Sequence, residues 1–214
     1  MSQLAKPTQP ILEAVQGGAP EPNAMKSHIT GYVERLHGVL ANADWSPVEQ
    51  LADVLLEAVH SRRNVFLCGN GGSAGNATHL ANDFLYGINP EGGALNVEAL
   101  SANPAVLTCL GNDIGYENIY SHQLKVKARA KDVLIVLSGS GNSPNIVNAL
   151  EQGNAIGMQT FAILGYAGGK SKTLANTPIH FAIDDMQISE DLQMMVGHML
   201  MQFLAEKLTG KSGC

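Results

Sequence analysis

Long apolar runs, clustered positive charge and paired cysteines are all missing from this 214-residue chain. No stretch approaches the roughly 18 apolar residues that a membrane span needs, and the opening MSQLAKPTQP lacks the continuous apolar core of an export signal. No membrane partner and no targeting segment are expected. Lys and Arg number 13 against 19 Asp and Glu, for a formal charge of −6. Without grouped cations to neutralise phosphates, a broad nucleic-acid face is excluded. Cys68, Cys109 and Cys214 form an odd set with neither C-x-x-C nor zinc-finger spacing, which points to a reduced, cytoplasmic protein. Charged residues make up only 15% of the chain against 45% hydrophobic, enough to close a core and too apolar for a disordered or fibrous protein.

What is present is organised in blocks. Residues 1–24 hold four prolines, Gly17, Gly18 and a single apolar patch from Ile11 to Val15, the composition of a mobile leader. Residues 25–62 read as two helices. In the first, Ile29, Val33, Leu36 and Leu40 recur at helical spacing. In the second, Ser46 is placed to cap, Pro47 suits the first turn and Glu49 completes a capping box. From residue 63 to 210, short apolar runs alternate with amphipathic stretches. The predicted strands are Asn64 to Cys68, Leu95 to Leu100, Val133 to Leu137, Thr160 to Leu164 and Ile179 to Ile183. The predicted helices are Ser73 to Tyr86, Pro104 to Leu110, Glu117 to Arg129, Pro144 to Ile156, Lys170 to Ala175 and Ser189 to Leu208. Such alternation predicts an α/β fold with parallel strands and crossover helices.

Ligands of these sheets bind beyond the carboxyl ends of the strands. Two turns at such ends stand out, Cys68-Gly-Asn-Gly-Gly-Ser73 and Ser138-Gly-Ser-Gly-Asn-Ser143. Glycines permit close backbone approach, and each following helix offers free N–H groups to an anion, so the pair could cradle a phosphate. A single Gly/Ser turn is more often only a turn. Neither loop reads G-x-G-x-x-G, and no Gly-Lys-Ser/Thr follows the first, which argues against a nucleotide.

CGNGGSAGNATH paired with LIVLSGSGNSPNIVNAL resembles the sugar isomerase (SIS) domain, and especially the phosphoheptose isomerases, over roughly Met25 to Leu208. The resemblance implies a flavodoxin-like three-layer sandwich around a five-stranded parallel sheet. It also implies N-terminal helices that help assemble a homotetramer with active sites at subunit interfaces. Asn70, Gly71, Gly72, Asn112 and Asp113 match positions that contact the sugar phosphate. Ser138, Gly139, Ser140 and Ser143 match the phosphate loop, although the family usually carries a hydroxyl where Gly139 stands.

His79 and Asp83 lie four apart, on one face of a helix. On spacing alone this is more often an ordinary surface or core pair. The resemblance makes it more: a family histidine matches His79, and a family glutamate that serves as metal ligand and acid/base matches Asp83. Glu190 and His198 match a family Gln and His that reach the same metal and substrate. Eight helical residues rise about 12 Å and turn through an extra 80° or so, so Glu190 must lie near the helix start or serve another subunit's site. Met194, Met195, Met199 and Met201 around His198 read as core. His79, Asp83, Glu190 and His198 together are a set for a divalent ion such as zinc.

The function implied is an aldose–ketose isomerase of a phosphorylated sugar, converting sedoheptulose 7-phosphate to a seven-carbon aldose phosphate by a 1,2-proton shift, with Asp83 and His198 as the proton-transferring pair. Two alternatives stand beside it. One is a non-catalytic member of the superfamily, such as a replication-initiator-associating scaffold or a sugar-phosphate sensor. The other is an isomerase of a different phosphosugar.

Overall fold

The computed structural model describes residues 23–210, so the leader reading of residues 1–22 falls outside the described residues. The chain divides into two compact units between Leu40 and Ala41. The first contains helix α1 (Ala24–Ala41), one residue longer at each end than its apolar spacing predicts. None of its residues is buried, and its apolar stripe leaves Met25, Ile29 and Val33 exposed.

The second unit holds the sheet. Its strands are β1 (Asn64–Gly69), β2 (Asn96–Ala99), β3 (Val133–Ser138), β4 (Gln159–Leu164) and β5 (Thr177–His180), all parallel, in the order β2-β1-β3-β4-β5. VLIVLS is buried at every position because β3 is central and covered on both faces. Helices α2 (Ser46–Ser61), α3 (Gly72–Asn82) and α8 (Met186–Thr209) cover one face. The others, α4 (Pro104–Ile114), α5 (Ser121–Lys127), α6 (Pro144–Ile156) and α7 (Ser171–Leu174), follow β2, β3 and β4. On the α5–α6 side, Phe66, Cys68, Leu134, Val136, Ala162 and Leu164 pack with Tyr120, Leu124, Ile146 and Leu150. By pleat alternation Val65, Leu67, Ile135, Leu137 and Ile163 line the opposite face, where Leu51, Leu55, Leu192 and Val196 are buried.

Several boundaries depart from the sequence pattern for identifiable reasons. Ser46 is not the cap of α2: it is the first helical residue, Trp45 is the cap, and the capping box with Glu49 does not form. Asp44 instead accepts from both the amide and the hydroxyl of Ser46, which lowers the Asp44 pKa. β5 begins two residues before its predicted start and ends at His180. Phe181 N still donates to Leu164 O, so by alternation the nitrogen of Pro178 faces away from β4, the one orientation an edge strand tolerates. The helix predicted to run to Tyr86 changes to a π-helical turn over Asp83–Gly87. The stretch predicted as one helix over Glu117 to Arg129 splits into a 3-10 turn, Tyr116–Asn118, and α5. α8 starts three residues early because Asp185 caps it, accepting from Ile188 N.

The amino-terminal ends of β1 and β3 are tied by one buried carboxylate. Asp132, 3% exposed, accepts from Asn64 N, Asn64 Nδ2 and Arg129 N at 2.9–3.0 Å. Removing it strands three donors at the base of the sheet. Asp132→Ala should therefore lower unfolding free energy by about 2–4 kcal/mol in urea titrations, and a loss below about 1 kcal/mol would contradict this account.

Candidate active site

In a 2-1-3-4-5 sheet the strand order reverses between β1 and β3, and ligands bind in the crevice that opens there. Both glycine-containing loops lie at this point, one after β1 and one after β3. Together they line a cavity of about 270 Å³ with Asn70, Gly71, Gly72, Ser73, Ser138, Gly139, Ser140 and Ser143, closed from α8 by Met186 and Glu190. Ser138 Oγ accepts from Gly141 N at 3.0 Å and Ser140 Oγ from Asn142 N at 3.3 Å, so each hydroxyl hydrogen remains available to a ligand. Ser143 is the N-cap of α6 yet makes no side-chain capping bond, which leaves its hydroxyl for an anion; of the first helical residues Pro144 has no N–H and Ile146 N donates to Ser143 O, so Asn145 N is the amide left to join it. At Gly139, where the family usually carries a hydroxyl, the end of the Met186 side chain occupies the space a side chain would enter.

The first loop is held by side chains that carry no sequence motif. Asn70 and the buried Asn145 exchange amide hydrogen bonds of 2.9 and 2.7 Å, and Tyr116 OH donates to Asn70 Oδ1 at 3.0 Å. Tyr120 donates to Gly69 O, and burial holds its phenol well above the usual range, so it keeps the proton it donates. Asn112 and Asp113, at the end of α4, are not among the cavity-lining residues. Asn112 Nδ2 donates to Asp113 Oδ1 at 2.8 Å, and Cys109 Sγ points to Asp113 Oδ2. That hydrogen bond raises the Cys109 thiol, which is therefore exposed without being activated.

Beyond the first loop, α3 and α8 bring three side chains together. His79 Nε2 lies 3.3 Å from Asp83 Oδ2, His198 Nε2 lies 3.4 Å from the same oxygen, and the two Nε2 atoms are 3.3 Å apart. Zinc bonds to imidazole and carboxylate are about 2.0–2.2 Å, and tetrahedral angles then separate neighbouring ligand atoms by about 3.3–3.5 Å. The triangle therefore fits a tetrahedral divalent ion with one position left for a ligand. Among the described residues the group within ligating distance is His79, Asp83 and His198, and Glu190 stands apart from it. The extra 80° of helix turn sends Glu190 to the anion cavity instead, where a methyl group on Gly72 would lie 2.4 Å from both its carboxylate oxygens. The neighbouring methionines are not core either; Met194, Met195 and Met201 are half-buried and Met199 is exposed.

Two features of the site have no sequence signal. The π-helical turn begins at Asp83, with Ile88 N donating to Asp83 O, and such turns cluster at functional sites. Gly197 permits the close approach of the helices, since a methyl group there would fall 2.1 Å from Leu80 Cδ2 in the buried contact with α3. A polar lock sits nearby: Gln193 Nε2 donates to Ser73 Oγ at 3.1 Å, and Asn76 Nδ2 to Gln193 Oε1 and Glu190 O at 3.0 Å. Gly197→Ala should push α8 off α3 and weaken divalent-ion binding about tenfold or more in calorimetric titration, while His79→Ala should abolish it with the sheet still folded by circular dichroism. Unchanged metal affinity in both variants would remove the cluster as a metal site.

The model of the SIS domain family matches residues 30–165. The phosphoheptose isomerase of Clostridium acetobutylicum is 31% identical over 190 residues, covering 88% of this chain and 97% of that protein. The phosphoheptose isomerase of Akkermansia muciniphila is 32% identical over 186 residues, with 87% and 97% covered. Among solved structures, a phosphoheptose isomerase from Francisella tularensis superposes with a TM-score of 0.80 at 25% identity, over 86% of this chain and 99% of that one. With a 2-1-3-4-5 parallel sheet, glycine–serine loops at its switch point and relatives aligned along nearly their whole length, this chain belongs to the SIS domain family.

Proposed function

We propose that the protein is a phosphoheptose isomerase, interconverting sedoheptulose 7-phosphate and D-glycero-D-manno-heptose 7-phosphate by a 1,2-proton shift. The observation that carries the reading is the triangle of His79, Asp83 and His198 at 3.3–3.4 Å, beside a cavity lined by three serines. Ser138, Ser140 and Ser143 donate to the phosphate, and Asn70, Gly71 and Gly72 line its other side. Asn112 and Asp113 are proposed as substrate contacts on the resemblance alone. The relatives named phosphoheptose isomerase support the choice of sugar.

Asp83 is set to move the proton. With Oδ2 turned to both imidazoles, its Oδ1 is the oxygen left to take a proton from the carbon beside the carbonyl, while His198, whose Nε2 faces the cluster, delivers one to the carbonyl oxygen from Nδ1. Collapse of the enediol with the roles reversed yields the isomeric carbonyl. Asp83 is only 17% exposed, which limits competition from water. His79, Asp83 and His198 would hold a divalent ion, zinc by the chemistry of the set, and when bound it supplies polarisation of the carbonyl.

The protein is further proposed to act as a cytoplasmic homotetramer with active sites at subunit interfaces. No helix among the described residues is long and apolar enough to cross a membrane. The exposed stripe of α1 and an open groove between α2 and α8, where Val48, Ala52, Met199, Leu200 and Phe203 are joined by Glu49 and Asp53, are the surfaces that assembly would cover.

Wild-type protein should exchange the α-carbon proton of sedoheptulose 7-phosphate with solvent, and a chelator should stop it. Asp83→Asn keeps a hydrogen bond but cannot accept the proton, so turnover should fall at least ~100-fold. Full activity in Asp83→Asn would move the proton transfer elsewhere. Silence on heptose phosphate with turnover of a C5 or C6 phosphosugar would reassign the substrate, and silence on all of them would favour a binding protein. Light scattering at micromolar concentration should give a tetramer; a monomer would refute the assembly.

A further inference from the structure

Residues 165–171, the loop after β4, line no part of the anion cavity, yet they lie directly behind the serine-bearing loop after β3. Three of their amides donate to that loop: Gly165 N to Gly139 O, Ser171 N to Gly141 O and Lys170 N to Asn142 Oδ1, each at 3.0 Å. Asn142 completes the clasp, since its Nδ2 donates to Ser140 O at 3.2 Å. The carbonyls of Gly139, Ser140 and Gly141 are thus all engaged by groups outside the cavity. The loop behind them holds a costly conformation. Tyr166, Gly168 and Gly169 are left-handed, with φ of 44°, 81° and 52°, and a tyrosine is disfavoured there. Tyr166 is pinned on both sides, its N donating to Ile183 O and its O accepting from His180 Nε2, each at 2.9 Å. The two loops also meet backbone to backbone. A methyl group on Gly141 would strike the Gly168 carbonyl, and one on Gly169 would lie 2.5 Å from Ser140 O and 2.6 Å from Asn142 Oδ1.

In a trans peptide the C=O and N–H groups point in opposite directions, so whatever holds a carbonyl also aims the next amide. With Gly139 O drawn to Gly165, the Ser140 amide faces away from the loop after β4. With Gly141 O drawn to Ser171, the Asn142 amide turns back to Ser140 Oγ, which it reaches at 3.3 Å. That bond takes one lone pair of the hydroxyl and leaves its hydrogen for a ligand. Released from these donors, the same carbonyls could turn inward and repel an anion. We infer that residues 165–171 are the positioning element of the anion cradle, and that they act on it through Gly169 and Asn142. The inference deepens the isomerase reading and rests on it only for the identity of the anion as a sugar phosphate; the positioning itself is read with phosphate alone.

The test compares the full-length wild type with Gly169→Ala, Asn142→Ala and Lys170→Ala. Inorganic phosphate and zinc are titrated calorimetrically, and KM and kcat are measured on sedoheptulose 7-phosphate. Gly169→Ala and Asn142→Ala should each weaken inorganic phosphate about tenfold and raise KM by a similar factor, with kcat within about twofold of wild type and zinc affinity unchanged. Lys170→Ala keeps the backbone amide that makes the contact, so its phosphate affinity should match wild type. Should Gly169→Ala fail to fold, Asn142→Ala decides the outcome, because it removes the clasp without adding bulk. Phosphate affinity and KM unchanged in Asn142→Ala overturn the inference while the isomerase reading stands. Loss of phosphate binding in Lys170→Ala alone overturns it in favour of side-chain charge, and a parallel loss of zinc affinity and kcat in Asn142→Ala overturns it in favour of general loosening of the fold. If the variants weaken phosphate as expected but the wild type turns over no phosphosugar, the positioning stands and the isomerase reading fails. If the wild type binds no phosphate, there is no anion cradle to position and the inference fails.

Discussion

The close approach of α3 and α8 is the constraint on which the site depends. Gly197 leaves room for Leu80, and Gln193 bridges Ser73 and Asn76 within the same contact. The two helices come from opposite ends of the sheet-bearing unit, yet His79 and His198, 119 residues apart, face each other across 3.3 Å. Packing density and a buried polar lock together hold imidazoles that local structure alone could not bring together. Asp83 enters the same point from the first residue of the π-helical turn.

The cavity between the glycine–serine loops depends on a second constraint, the reversal of strand order between β1 and β3. It splays the two loops so that their amides and hydroxyls converge, with the helix starts of α3 and α6 behind them. Loops need support if they are to bind by shape. Asn145, Tyr116 and the protonated Tyr120 supply it from the neighbouring helices, each by a hydrogen bond to the segment Gly69–Asn70.

Relative to the family pattern, the acid that opens the π-helical turn is one methylene shorter and the residue at position 190 has gained a charge. These changes do not compensate each other at the metal-competent triangle, because Glu190 points to the anion cavity. Asp83 reaches both imidazoles despite its length, since α8 lies close enough at Gly197 to bring His198 to it. The two departures thus lie in separate places: one within the His79–Asp83–His198 cluster, the other at the cavity between the glycine–serine loops.

The alternation of apolar runs and amphipathic stretches determined the five strands and the order of helices, and the glycine–serine loops marked the cavity at the switch point, because these are local patterns. β5 slipped by two residues from its apolar run, because the strand's start is set by hydrogen bonding to β4 around Pro178 and not by hydropathy. His79 and Asp83 were legible as a pair four apart, and family likeness supplied His198. The support from Asn145, Tyr116, Tyr120 and Gln193 was not legible, since an Asn, Tyr or Gln becomes a strut only when its partner is placed opposite it. The destination of Glu190 was likewise decided by tertiary structure: the sequence restricted it to the start of α8, but which cavity it faces depends on the rotation of that helix against α3, and that rotation is set by how Gly197 and Leu80 pack.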